Sequence, residues 1–217
     1  MNKTDIEWCD YTWNPITGCK RNCNYCYARR IHNRFNKGRP FSDIVFHPER
    51  LQDKMPKKPS KIFVGSMSDF EYWELSHFEK ILEVCANNPH HTFMFLSKNP
   101  VSRSLIPWPD NTMQGITITH YGFDHEKAEQ METRFPRPFL SIEPILEPVT
   151  FLVPDFFEIV IVGAETGTSA EPVTPNIIES VERNVKPEQL FWKSNIQKYR
   201  KAGALHYSLQ LMGKSSG

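Results

Sequence analysis

Three cysteines fall within the run Gly18-Cys19-Lys20-Arg21-Asn22-Cys23-Asn24-Tyr25-Cys26-Tyr27, a C-x3-C-x2-C cluster with an aromatic residue just before the last thiol. Thiolates this close in sequence can gather around one inorganic centre, and soft sulfur ligands select iron-sulfur clusters or zinc over hard cations. No fourth ligand is evident nearby. A cubane cluster held by three thiolates keeps one iron open, whereas structural zinc takes all four positions from protein. Spacing alone leaves both centres open, and a zinc site completed by Cys9, His32 or a more distant histidine is one reading. A disulfide framework is not expected, because five cysteines is an odd count in a chain that is not small. Cys9 follows Trp8 in a polar stretch and reads as a spare thiol, and Cys85 lies on an apolar helix face and reads as core. The pair His90-His91 has no metal-ligand spacing.

The elements that must position these thiols follow from alternation. At 217 residues, 39% hydrophobic and 12% aromatic, the chain can bury a sizeable core, and one domain over 1–213 is expected with 214–217 as a frayed tail. Apolar runs at 62–64, 92–96, 116–118, 139–142 and 159–162 have the length and β-branched content of buried parallel strands. Helical spacing links Leu75, Phe78, Ile81, Leu82 and Cys85, and again Ile177, Ile178, Val181 and Val185, with a more polar helix over 124–134. Alternating strand and helix predicts an α/β fold. Residues 11–18 contain Pro15, which suits a bent or edge strand leading through the cysteine loop into a helix over 26–36. Trp13 and Trp192 read as packing residues, while Trp73 and Trp108, flanked by Tyr72 and by two prolines, read as the exposed ones.

Polar residues follow each strand in turn: Ser66 and Asp69, then Ser97 and Lys98, Thr119 and His120, Glu143, and Gly163 with Glu165. In a parallel barrel the C-terminal strand ends form the active face, so these groups are expected around the cysteine loop. His120 and Tyr121 offer an acid or a hydrogen-atom donor.

The C-x3-C-x2-C run resembles the signature of the radical S-adenosylmethionine (SAM) superfamily. With Asp5-Ile6-Glu7-Trp8, Thr12 to Gly18, Ser66-Met67-Ser68-Asp69, Leu140 to Pro144 and Val162 to Gly167, the chain is similar to phage-associated radical SAM proteins of unassigned function, distantly like spore photoproduct lyase. The resemblance spans roughly residues 4–170. Over Phe191-Trp192-Lys193-Ser194-Asn195 it departs from the family's aromatic-Lys-Gln-Trp-Gly ending. It implies a partial (β/α) barrel of radical SAM type and a 4Fe-4S cluster on Cys19, Cys23 and Cys26. It also implies SAM on the open iron, cleaved reductively to a 5′-deoxyadenosyl radical, with Tyr25 against the adenine. Ser66, Asp69, Ser97, Lys98, Glu143 and Glu165 would then supply polar groups for SAM, and Gly163 would let backbone approach the adenine. A reductant protein such as a flavodoxin or ferredoxin is an implied partner.

Charge is uneven. Residues 20–61 carry 12 Lys or Arg against three acids, a local +9, with −8 over the rest of a chain whose net charge is +1. A positive rim there could track a polyanion, so nucleic acid is an expected partner or substrate. A peptide or small metabolite is the alternative substrate, and a zinc-stabilised nucleic-acid-binding module without catalysis is the alternative class. No apolar run approaches eighteen residues, so no membrane partner is expected. The first residues lack the apolar stretch of a signal peptide, so a cytoplasmic setting is expected, where thiols stay reduced.

Overall fold

The computed structural model describes residues 1–36, 38–119, 126–167 and 170–200. The chain divides into two compact units, one of Met1–Thr117 with Gln130–Phe139, the other of Ile118–Glu129 with Leu140–Gly217. In chain order the first unit contains β1 (Asn2–Lys3), β2 (Tyr11–Trp13), β3 (Ile16–Thr17), α1 (Tyr27–Phe35), β4 (Val45–Phe46), β5 (Lys61–Val64), α2 (Leu75–Ala86), β6 (Thr92–Ser97), β7 (Thr112–Thr117) and α3 (Met131–Arg134). β8 (Pro138–Ile142) leads into the second unit, which continues with β9 (Val160–Val162), α4 (Pro175–Asn184) and β10 (Leu190–Trp192).

The fold is α/β, mostly parallel sheet with helices between the strands. In the first unit the strand order is β1-β2-β5-β6-β7, with only β1 antiparallel to its neighbour. In the second, β8, β9 and β10 are parallel. Pro15 breaks the first expected strand in two. β2 joins the main sheet and β3 pairs instead with β4 in a separate antiparallel ribbon, because proline cannot donate to a ladder. The chain thereby leaves the sheet before it reaches the cysteines.

Trp13, Ile62, Val64, Phe78, Ile81, Leu82, Phe93 and Phe95 form one buried core with Cys85, which is core as expected. Trp73 is not exposed: it is 1% accessible, and its ring covers Gly65. Trp108 is half-buried, with its ring 5.1 Å from Phe95 and 5.2 Å from Phe78. Both indoles serve the core because an aromatic shelf of Phe70, Phe78 and Phe95 surrounds them. Cys9 is also buried, its thiol donating to the Ile6 carbonyl. Trp13 is fully buried, while Trp192 is half-buried beneath the Arg200 guanidinium.

β7 begins earlier than its apolar run, at Thr112, and all six of its residues are buried. Gly115 lies directly under the Phe139 ring, where an added Cβ would meet ring carbons at 2.3 to 2.6 Å. Helix is found over 126–129 and over Met131–Arg134, within the expected 124–134, whose first two residues lie outside the described ones together with His120, Tyr121 and the 214–217 tail. Gly115→Ala overpacks a buried ring that has no room to retreat. It is expected to destabilise the fold by about 1–3 kcal/mol, read as a lower midpoint in chemical denaturation with an unchanged slope.

Candidate functional site

The cysteine loop begins at a backbone conformation only glycine holds easily. Gly18 has φ +95°, and a Cβ there would stand 2.0 Å from the Asp43 carbonyl oxygen. Its N–H donates to the Met67 carbonyl at 3.0 Å, and its own carbonyl accepts from Ser68 Oγ at 2.6 Å. Trp73 Nε1 in turn donates to Ser68 Oγ at 2.8 Å. The loop is therefore bolted to the turn that follows the C-terminal end of β5. The sequence run Ser66-Met67-Ser68-Asp69 is that turn.

A network of charged and polar groups holds the middle of the loop. The Arg21 guanidinium pairs with Glu71 and lies 3.9 Å from Asp69. Asp69 is buried and accepts from Ser97 Oγ at 2.6 Å, from Glu71 N–H at 3.1 Å and from Lys98 N–H at 3.2 Å. Burial raises the Asp69 carboxyl above the usual range, against the lowering effect of these donors and of Arg21. Asn99 closes the network, its side-chain amide donating to Glu71 at 2.8 Å. At the far end of the loop, Cys26 caps α1 by accepting from Arg29 N–H at 3.4 Å, and the Arg29 guanidinium bonds back to the Cys23 carbonyl and Asn22.

Cys19, Cys23 and Cys26 are free, half-buried thiols. Burial pushes the Cys19 thiol up to about 12, with Asp69, Cys26 and Cys23 adding and the Arg21 N–H opposing. Cys19 is thus protonated in the metal-free loop, and a bound cation must displace that proton. The donor set fits a thiolate-held iron centre, since three thiols share one loop and Cys19 feels the charge of the other two. Among the described residues no three His, Cys, Asp or Glu side chains already stand as a metal-holding group, so ligation requires the thiols to turn toward one centre.

The other expected site residues are distributed as follows. Tyr25 lies in the loop with Lys98 Nζ 5.2 Å from its ring centroid. Ser66 Oγ exchanges hydrogen bonds with the Asn14 side chain at 3.1 Å, and its carbonyl accepts from Tyr27 Oη. Ser66, Asp69, Ser97 and Lys98 are therefore brought to one place with the cysteine loop, although Asp69 and Ser97 spend their side chains on each other. In the second unit, Glu143 pairs with Lys193, and a Cβ on Gly163 would touch both at 3.0 Å. Glu165 accepts from Glu171 N–H at 3.4 Å. Lys193 was not among the expected residues. Its signal was its place just after the β-prone run at 190–192, in the stretch where the resemblance weakens. Asn195, next to it, makes two hydrogen bonds with the Ala164 backbone.

The basic segment does not form one rim. Lys57, Lys58 and Lys61 precede or open β5 at the N-terminal end of the parallel strands, whereas the cysteine loop adjoins Ser68 beyond the C-terminal end. Arg21 and Arg29 are engaged within the loop, and Arg50 donates to the Asn14 carbonyl. Lys37 lies outside the described residues.

A family model described as "Protein of unknown function (DUF5131)" matches residues 3–213. The chain belongs to this family. Among curated proteins, an uncharacterised protein of Methanocaldococcus jannaschii is 37% identical to the DUF5131 chain over 71 residues, which is 32% of the chain and 27% of that protein's length. Two solved structures of spore photoproduct lyase share the fold. A double mutant with bound AdoMet and dinucleoside spore photoproduct superposes with a TM-score of 0.52 at 15% identity, over 68% of this chain and 49% of that one. A single mutant gives 0.57 at 10% identity, over 88% and 79%. At these identities the likeness is one of fold.

If the Arg21 pair fixes the loop, Glu71→Gln should release it. Amide hydrogen exchange across 19–26 is expected to quicken about tenfold, the loss of one well-formed charge-assisted contact, while exchange in β6 stays unchanged. Equal exchange in parent and variant would show that Gly18 and Arg29 suffice.

Proposed function

We propose that this chain is a radical SAM enzyme whose Cys19, Cys23 and Cys26 hold a 4Fe-4S cluster. The observation that carries the reading is the C-x3-C-x2-C loop anchored beyond the C-terminal ends of parallel strands, where enzymes of parallel α/β architecture build their sites. The shared fold with spore photoproduct lyase, one structure of which binds AdoMet, supports it. When bound, the cluster supplies an open iron for SAM and the electron that cleaves it to a 5′-deoxyadenosyl radical.

The residues of the first unit have separable roles in this proposal. Arg21, Glu71 and Asp69 hold the loop, and the Arg21 N–H hydrogen bond to Cys19 sulfur stabilises its thiolate form. Tyr25 offers a ring face for the adenine, and Lys98, whose ammonium lies over that ring, offers a cation for the SAM carboxylate. Ser66 Oγ is engaged by the Asn14 side chain, so it reaches SAM only if that exchange opens. For Glu143, Gly163 and Glu165 the assignment to SAM rests on their place just after strands and on the groups SAM needs, and the resemblance does not settle which of them meets SAM.

The split of the basic segment bears on the substrate. With Lys57, Lys58 and Lys61 at the opposite end of the strands from the loop, no single track for a polyanion runs along 20–61. This favours a peptide or small metabolite over an extended nucleic acid. The dinucleoside bound by the lyase shows that a nucleotide fragment also falls within that size range for its own site.

Anaerobic reconstitution with iron and sulfide tests the metal assignment. The parent is expected to turn brown and hold about four irons per chain, as a three-thiolate cubane requires, and Ala at Cys19, Cys23 or Cys26 to lose the iron and the visible absorbance. A colourless protein that retains zinc, or a triple Ala variant with the parent's iron content, overturns the proposal and favours the zinc-stabilised module.

A further inference from the structure

The ribbon that Pro15 forces out of the main sheet walls a cavity. In it Ile16 pairs with Phe46, while Gly18 packs against the Asp43 carbonyl and Cys19 N–H donates to the Phe41 carbonyl at 2.8 Å. These contacts hold residues 42–46 beside the start of the cysteine loop. Between the ribbon, Lys20 and the first turn of α2 the cavity has a volume of about 440 Å³, within the roughly 300–1,000 Å³ of small-ligand pockets. Part of its lining is aromatic: Tyr72, and the Phe46 ring stacked on His77 with centroids 4.0 Å apart and planes at 16°. Its charges are placed unevenly. His77 Nδ1 lies 3.6 Å from Glu74 Oε2, and the Arg21 guanidinium behind Tyr72 is spent on Glu71 and Asp69. Lys20 and Asp43 line the same cavity, yet among the described residues neither the Lys20 ammonium nor the Asp43 carboxylate has an ion-pair or hydrogen-bond partner.

We propose that this cavity binds a free α-amino acid with an aromatic side chain. Lys20 takes its carboxylate, Asp43 takes its ammonium, and its ring lies on the wall made by Ile16, Phe46 and Tyr72. Two opposite charges that face one cavity without neutralising each other suit a ligand carrying both signs. A phosphate would meet one cation against Asp43 and Glu74, and a simple amine would leave Lys20 unmatched. The aromatic lining selects a ring over a short side chain, since ring faces gain from offset or edge contact with other rings. The volume admits a single small molecule and not an extended chain. All of these groups belong to the first unit, and none of them is a cysteine, so the site stands apart from the reading of the three thiols. Because Lys20 directly follows Cys19, an occupant also ties down the start of the cysteine loop.

The test is calorimetric titration of the full chain, reconstituted and metal-free, with L-phenylalanine, L-tyrosine and L-tryptophan as probes. At least one is expected to bind saturably at one per chain. Its amide, which lacks the carboxylate, and its N-acetyl derivative, which lacks the ammonium, should each bind about tenfold more weakly, the loss of one charge-assisted contact. Lys20→Gln and Asp43→Asn should weaken the parent amino acid by a similar factor at an unchanged denaturation midpoint, because neither side chain has a partner in the fold to lose. Amide hydrogen exchange should slow over 18–20 and 42–46 when the amino acid is bound. No saturable binding of any of the three to the parent overturns the proposal. Equal affinity for the amide or the N-acetyl derivative, or equal affinity in both variants, overturns it as well. So does displacement of the amino acid by SAM from the metal-free chain, since the cavity would then hold the amino-acid end of SAM itself. A parent that takes up no iron defeats the cluster reading alone, and the metal-free titration still decides this one.

Discussion

The left-handed backbone at Gly18 is the constraint on which the site depends. Any side chain there would collide with the Asp43 carbonyl, and the conformation itself disfavours L-residues. Because the turn can form, Gly18 bridges Ser68, and the cysteine loop is delivered beyond the C-terminal end of β5 instead of along the sheet edge. Gly65, at φ +81° under the Trp73 indole, makes the matching turn on the β5 side. Trp73 braces this turn, packing on Gly65 and donating to Ser68 Oγ, which itself donates to the Gly18 carbonyl. A core residue and a loop anchor are thus one side chain.

Charge then does what backbone geometry leaves undone. Arg21, between Cys19 and Cys23 in sequence, is held by Glu71 and Asp69, which are themselves tied to Ser97 at the end of β6 and to Lys98 and Asn99 just after it. Burying Asp69 is tolerable because its carboxylate accepts from Ser97, Glu71 and Lys98 and lies beside the Arg21 guanidinium. The consequence is a loop referenced to two neighbouring strands, with its last thiol serving as the cap of α1. Asp69, Ser97 and Ser66 Oγ spend their side chains within the protein, and Lys98 holds its ammonium 5.2 Å from the Tyr25 ring centroid, the pair proposed above for SAM.

Much of this was legible in the sequence, and for identifiable reasons. β5, β6, β8 and β9 are short β-branched or aromatic runs, and α2 and α4 have plain helical periodicity, so burial wrote them directly into the residue pattern. β7 was mislocated because Thr112, Gln114 and Gly115 are buried for packing reasons that hydrophobicity does not register. Trp73 and Trp108 were misread as exposed because their polar and proline neighbours say nothing of the aromatic shelf that receives them. The cysteine spacing and the polar residues after strands were visible, but their division of labour was not. That Asp69 braces Arg21, and that Lys193 meets Glu143, depends on partners 48 and 50 positions away in the chain, beyond any local pattern. The +9 segment shows the reverse error, since contiguity in sequence did not become contiguity in space.

The central claim is that the three thiols hold a cluster with an iron left open for SAM. Paramagnetic resonance of the reduced, reconstituted protein tests it most directly. Saturating SAM is expected to change the spectrum of the 1+ cluster, and warming that sample should release 5′-deoxyadenosine. A reduced cluster whose spectrum is the same with and without SAM, with no 5′-deoxyadenosine formed, would contradict the account.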